Sequence, residues 1–361
     1  MQMNPLLWMR SFRIQRRARS TRHSERYPYL LPDPNGTTPH ESSSVARHYA
    51  YGLLWQMPLA CPELRVAPVG SATDVTVQYG ELPPAPAHAL AAGPLRQVTP
   101  EETRFGLPGV ARLLVRSGNE IIIERQPDAD DEMIRLLLLG TGAALLLHQR
   151  GVLPLHASAV VTPAGAVLFM GHSGAGKSTL LNEFLRRGYS MLAEDLAAVR
   201  LDAAGVAWVE PGVQVTKLWA DSAAALGQPT EGLPRVRAEL EKYVLPVTDA
   251  LADAPARLAA IYVLASHNQP HVHLEERRDA RKFNALLDHT WQKLVVKRMG
   301  LHGAHFQRAI AVANQARIVR VQRPDDGFRL KELADAVEAD FTKNLIISQS
   351  PNLREIERLG D

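Results

Sequence analysis

Cysteine is almost missing. Cys61 is the single one in 361 residues, so no disulfide can form within the chain, which suits a reducing cytoplasm. Long apolar runs are missing too. The longest, Leu136 to Leu147, covers 12 residues between Arg135 and His148. A membrane-spanning helix needs roughly 20, so this stretch is expected to be a buried helix, and no membrane partner is expected. The third absence is a basic body. The formal charge of +3 is concentrated in residues 1–26, which hold seven arginines against one acid, Glu25. The remaining residues therefore carry −3, and nothing in the folded body argues for a nucleic-acid partner. Apolar residues make up 46% and charged residues 22%, as in a soluble globular protein. The length favours two domains over one small core.

Residues 1 to about 40 read as a basic flexible tail. Clustered arginine with Ser24, Pro28, Pro32, Pro34 and Asn35-Gly36 offers little to bury. No apolar region of a secretory signal is present. The stretch is read as a solvated extension, with an organellar presequence or an anion-binding arm as the other readings. Residues 45–150 are expected to form a small α/β module and a connecting helix. Leu64 to Val69 and Val75 to Tyr79 read as strands, and the Pro/Ala segment 83–94 as a loop. Arg112 to Arg116 and Glu120 to Glu124 flank Ser117-Gly118-Asn119 as a hairpin. Asp130-Asp131-Glu132 then sets acids at the positive end of a helix that stops before Gly151. That helix is expected to pack the module onto the main domain.

Residues 151–345 are expected to form that main domain, with 346–361 as a C-terminal tail. Leu153 to Val160 reads as one strand, turned back by Pro163-Ala164-Gly165 into the apolar run Ala166 to Met170. Next comes Gly171-His172-Ser173-Gly174-Ala175-Gly176-Lys177-Ser178-Thr179, which fits G-x-x-x-x-G-K-[ST] at every defined position. Leu180, Leu181, Phe184 and Leu185 come after it at helical spacing, with Gly188 as a cap. Strand, loop and helix are in register for a phosphate-binding P-loop, although a hairpin is not the usual parallel entry. Gly174 and Gly176 let main-chain N–H groups approach a polyphosphate. Lys177 would reach the β- and γ-phosphates of ATP, and Ser178 would place its hydroxyl on Mg²⁺.

Phosphoryl transfer to an alcohol also needs carboxylates, for the metal and for the proton. Tyr189 to Ala193 reads as a strand ending on Glu194-Asp195, only a helix and a strand past Lys177. Glu194 is assigned as general base and Asp195 as Mg²⁺ ligand or second base. His156, on the strand before the P-loop strand, could steady the transferred phosphate or orient the base, although a lone strand histidine is more often a core residue. Ala197 to Leu201 and Val206 to Val209 read as a hairpin, Leu258 to Ala265 and Ile318 to Gln322 as strands, and 278–289, 304–315 and 330–341 as helices. His271-x-His273 and His302-x-x-His305 lack partners that would complete a metal site. Lys242-Tyr243 reads as part of a helix face, and Trp208 and Trp219 as core or interface.

The order His156, Gly171 to Thr179, Arg187-Gly188-Tyr189 and Leu192-Ala193-Glu194-Asp195 resembles the HPr kinase/phosphorylase C-terminal domain and its diverged relatives. The likeness is clearest over 153–200. It continues faintly to about 265, where Pro255-Ala256-Arg257-Leu258 sits at the family's arginine-bearing loop. The resemblance implies an α/β fold, a P-loop kinase domain of HPr-kinase type with a mixed sheet, and an ATP-dependent serine kinase activity with a tendency to form homo-oligomers. It implies a base at Glu194, an acidic neighbour at Asp195 and a phosphate-side histidine at His156. The family usually has two aspartates at that point, and its phosphorylase signature is not recognisable here. Chains of this diverged type resemble kinases of ribosomal-peptide maturation, including those acting on the C-terminal serine of lasso-peptide precursors.

The expected function is transfer of the ATP γ-phosphoryl group to a serine of a peptide or protein in the cytoplasm. A nucleotide-gated assembly ATPase without an acceptor and a small-molecule kinase are the alternatives. The chain has no N-K-x-D guanine-reading motif and no L-S-G-G-Q stretch, which argues against a GTPase and a transporter ATPase.

Overall fold

In the computed structural model, residues 46–349 are described, apart from 69, 92–94, 238, 326 and 328. The expected basic tail and residues 350–361 lie outside the described residues. Ala46 to Met57 alternates buried and half-buried side chains on either side of Tyr51-Gly52 (φ 58° and 75°), which turns the chain back on itself. It thereby opens a nine-stranded sheet: β1 (Ala46–Ala50), β2 (Leu53–Met57), β3 (Arg65–Val66), β4 (Val75–Tyr79), β5 (Leu90–Ala91), β6 (Arg96–Val98), β7 (Glu102–Leu107), β8 (Ala111–Arg116) and β9 (Glu120–Arg125). The order is β3-β1-β2-β4-β9-β8-β7-β6-β5. The expected β8–β9 hairpin pairs Leu113 with Ile123 and Val115 with Ile121, all fully buried. Cross-strand pairs of this kind contribute about 0.2–1 kcal/mol each.

This front region corrects one expectation. Between Ala46 and Arg125 the described residues contain strands and no helix, so the module is all-β, not α/β. β1, β2 and the start of β4 alternate with period two, whereas β8 and β9 are short apolar runs buried on both faces, too short for a helix.

The connecting helix is α1 (Asp131–Leu137), a π-helical turn (Leu138–Gly142) and α2 (Ala143–Gln149). Asp130 caps it by accepting from the Glu132 N–H. Ala143 to His148 are all buried, because the helix touches both halves. Gln149 accepts from the Gly118 N–H in the front sheet, while His148 Nε2 lies 2.7 Å from the Trp291 carbonyl behind it.

The second sheet gathers β10 (Leu153–Leu155), β11 (Ala157–Thr162), β12 (Gly165–Gly171), β13 (Ser190–Ala193), β14 (Ala197–Leu201), β15 (Ala207–Glu210), β18 (Ala256–His267), β19 (His273–Glu276) and β20 (Arg317–Pro324). A separate ribbon is formed by β16 (Val215–Trp219) and β17 (Lys242–Pro246). Parallel β12–β18–β20 and antiparallel β13–β11–β12 make the sheet mixed. The helices are α3 (Lys177–Arg186), α4 (Ala220–Ala225), α5 (Ala280–Asp288), α6 (Lys293–Arg298), α7 (His302–Gln315) and α8 (Leu330–Gln349). The expected C-terminal tail thus begins inside α8.

Alternation along β12 divides the core. Val167 and Phe169 pack on Leu180, Leu181 and Phe184 of α3 and Val337 of α8. Ala166, Leu168 and Met170 face Leu286 of α5 and Val312 of α7. Each of these fully buried Val, Leu, Phe or Met side chains contributes about 1.5–3 kcal/mol. The described residues belong to one compact unit, and none of their helices is long and apolar enough to cross a membrane.

The stretch Leu153 to Val160 is not one strand. It breaks at His156, so β10 pairs with β14 while β11 pairs with β12 and β13. Lys242 and Tyr243 lie on a strand, β17, and not on a helix. Trp219 is 44% exposed and so fills no core, whereas Trp208 is half-buried and donates to Asp202.

Candidate functional site

β11 runs antiparallel between β12 and β13, so it starts where both of its neighbours end. This topology brings three segments to one edge of the sheet: the corner at His156, the loop after Gly171 and the carboxylates after Ala193. Residues 15 to 38 apart in the chain become neighbours through strand direction alone.

The loop has the geometry its motif requires. Gly174 and Gly176 take φ of 83° and 100°, where a side chain would be strained. Gly171 is needed for space, since a Cβ there would sit 2.9 Å from both the Leu264 carbonyl oxygen and the Ala175 Cβ. Gly176 caps α3 without any side-chain hydrogen bond to the first-turn amides. Those amides and the positive helix end are the chemistry that anions use. Lys177 Nζ donates to the carbonyls of Gly171 at 3.0 Å and His172 at 3.2 Å. Burial holds its pKa below the ordinary lysine value, partly offset by Asp195 and Glu194. Thr179 Oγ1 donates to Ser222 Oγ, which ties α3 to α4, while Asn182 donates within the helix to the Ser178 carbonyl. His172 and Ser173 are exposed at the loop's mouth.

Glu194 and Asp195 point apart. The Leu196 N–H donates back to the Glu194 carbonyl at 2.7 Å, which forces Asp195 to φ 65°. Aspartate tolerates this region better than most residues, at a cost of order 1 kcal/mol. As a result the Glu194 side chain turns inward and the residue is 2% exposed. It accepts from Ser158 Oγ at 2.6 Å and from Ser178 Oγ at 2.6 Å. Asp195 turns outward, with its side chain 35% exposed. His156 Nδ1 lies 3.3 Å from its carboxylate and Lys217 Nζ 3.5 Å.

These settings push the two acids in opposite directions. Burial, with the Asp195 charge next in weight, raises the Glu194 pKa above the ordinary value, against the two serine hydrogen bonds. Burial would also raise Asp195, but Lys217, His156, Lys242 and Lys177 outweigh it and hold the carboxyl well below the usual range. Burial lowers His156 to about 4, so the ring is neutral near pH 7. Paired acids driven apart by their environments are a signature of divided roles.

Several members had no sequence signal. Trp291 Nε1 donates to the Asp195 carbonyl at 2.9 Å, and its ring meets His156 edge-on at 5.3 Å. The His289 carbonyl accepts from the His156 N–H, while the His289 ring meets that of His172 at 5.4 Å. Burial lowers His289 to about 4. Ser158 and Lys217 were also unforeseen.

Arg257, implied by resemblance, does not join the site. It lies at the start of β18, level with the beginning of β12, whereas the loop comes after the end of β12. Six strand residues separate the two levels, about 20 Å. Among the described residues no group of three or more His, Cys, Asp or Glu could hold a metal. A magnesium site here would therefore rest on Ser178, one carboxylate and phosphate oxygens, which is how this ion is usually bound.

No family model matches the chain, and no curated protein matches it. Among solved structures it is similar to the HPr(Ser) kinase/phosphatase from Coxiella burnetii. The identity is 12% and the TM-score 0.30, over 56% of this chain and 98% of that one. A likeness at that level carries no argument, so a function must be read from the site itself.

Proposed function

We propose that the chain is an ATP-dependent kinase that passes the γ-phosphoryl group to a serine hydroxyl of a peptide or protein. One observation carries the reading: two adjacent carboxylates, one 2.6 Å from the Ser178 hydroxyl of the loop and the other turned outward beside His156. A phosphate holder alone needs the first and has no use for the second.

The proposed division of labour reverses the one expected from the sequence. Glu194, buried against Ser178, is the acid on the Mg²⁺ side, where a cation would favour its ionised form. Asp195, open and ionised, is the base. The acceptor hydroxyl gives its proton to the Asp195 carboxylate, its oxygen bonds to the γ-phosphorus, and ADP leaves. A weakly basic carboxylate is adequate, because the transition state is loose and depends on positioning and charge. Lys177 and the loop amides hold the phosphates. Mg²⁺, when held by Ser178 and Glu194, would supply neutralisation of the phosphate charge. Neutral His156, with Nδ1 3.3 Å from the Asp195 carboxylate, packs beside the base.

Purified protein with ATP, Mg²⁺ and serine peptides should give a product about 80 Da heavier. The set should include one that ends in serine, as in a lasso-peptide-type precursor. Asp195→Asn should lower kcat by about 10²–10⁴-fold while nucleotide still binds. Glu194→Gln should instead weaken Mg²⁺-dependent nucleotide binding. Normal turnover by Asp195→Asn would remove the base assignment. Phosphate release that no peptide, free serine or sugar accelerates would leave an assembly ATPase.

A further inference from the structure

The ribbon β16–β17 belongs to neither large sheet, and alternation gives it two unlike faces. Thr216, Leu218, Tyr243 and Leu245 turn inward. Thr216 Oγ1 donates to Asn182 of α3, and Leu218 and Leu245 pack with Ala223 and Leu226. The opposite face carries Lys217, Trp219, Lys242 and Val244, with Lys217 paired to Val244 and Trp219 to Lys242.

That face begins at the proposed base and leads away from it. Lys217 Nζ reaches the Asp195 carboxylate at 3.5 Å. One step outward, Trp219 stands 44% exposed, with Lys242 Nζ 5.8 Å from its ring centroid. Among the described residues Lys242 makes no ion pair. The step from Lys217 to Trp219 is two strand residues, roughly 7 Å, the same spacing as side chains two apart in an extended peptide. Lys217 is already matched by Asp195, and Lys177 would be matched by phosphate. Lys242 is the lysine of this face that has no carboxylate within ion-pair distance among the described residues, although its charge also bears on Asp195.

We propose that this face is the docking track for the acceptor and that it selects an acidic peptide. The serine lies at Asp195, its backbone crosses Trp219, and an Asp or Glu two positions away pairs with Lys242. The inference rests on the kinase reading and names the substrate class for the same site.

Two serine peptides that differ only in Asp or Asn two positions from the serine, on each side in turn, provide the test. With the wild-type chain the Asp peptide should have a KM about fivefold lower, as an exposed ion pair allows. Lys242→Glu should invert that preference and favour a Lys peptide, a charge swap that a general loss of folding could not produce. Trp219→Ala should raise KM for the Asp and Asn peptides alike. Equal KM values in the wild type, or a preference unmoved by Lys242→Glu, would overturn the inference and leave the kinase reading standing. Phosphorylation of free serine or a sugar but of no peptide would overturn both.

Discussion

Trp291 shows how much of the site depends on a residue that does no chemistry. Its indole N–H is the partner of the Asp195 carbonyl, and its ring backs His156. Its own backbone is fixed through the Pro154 carbonyl on one side and His148 on the other. Trp291→Phe keeps the ring but leaves that carbonyl without its donor, at a cost of about 1–3 kcal/mol. If part of that cost appears as a misdirected carboxylate, kcat should fall about tenfold while the acceptor KM changes little. Steady-state kinetics across pH would check this, and an unchanged kcat would mean that the turn holds itself. The sequence exposed the loop lysine and the acidic pair, because both are local patterns. It hid the division between Glu194 and Asp195, which depends on one left-handed residue. It hid Trp291 as well, which reaches Asp195 from 96 positions away.

At the scale of elements, β11 and its short turn set the geometry. Thr162 pairs with Gly165, and that register fixes how far β12 projects before the loop begins. Gly165 takes φ 120°, and a Cβ there would sit 2.4 Å from the Arg257 carbonyl oxygen of β18. Backbone cannot yield as a side-chain end can, so Gly165→Ala should separate β12 from β18. A loss of about 2–3 kcal/mol is expected, read as a lower urea midpoint at unchanged slope. A midpoint within error of wild type would show that the hairpin absorbs the strain. The individual strands were legible from alternation, and Val75–Tyr79 and Ala197–Leu201 match their expected bounds. The break at His156 was not, because a continuous apolar run carries no mark of a change of partner. Helical character in the front module was expected, where alternating stretches and short continuous apolar runs in fact produced only strands among the described residues.

Over the whole molecule, which sheets form was less legible than what each strand is. Pairings such as β12 with β18 join segments about 90 residues apart, and no local pattern encodes them. One consequence of that long-range assembly is measurable. Among the histidines it encloses are His148, His289 and His305, which are 3%, 8% and 6% exposed. Burial lowers them to about 3, 4 and 4. In the unfolded chain each takes its proton near pH 6.5, whereas the fold keeps it off until about pH 4 or below. Between those limits the unfolded state binds more protons, so stability is greatest above pH 6.5 and is lost as pH falls toward 4. Each group contributes about 1.4 kcal/mol per pH unit in that window, so the three together give about 4 kcal/mol per unit. Glu194 acts in the opposite sense, since its raised pKa makes its burial less costly in acid. One carboxylate cannot cancel these imidazoles, to which His156, also lowered to about 4, adds in the same sense. Urea midpoints should therefore be flat from pH 8 to 7 and fall steeply from 6.5 to 5, where ordinary surface carboxylates are still ionised. A midpoint that holds level down to pH 5 would mean that these rings find room to carry charge, and the packing of α5 and α7 against the sheet would then be looser than the structure has it.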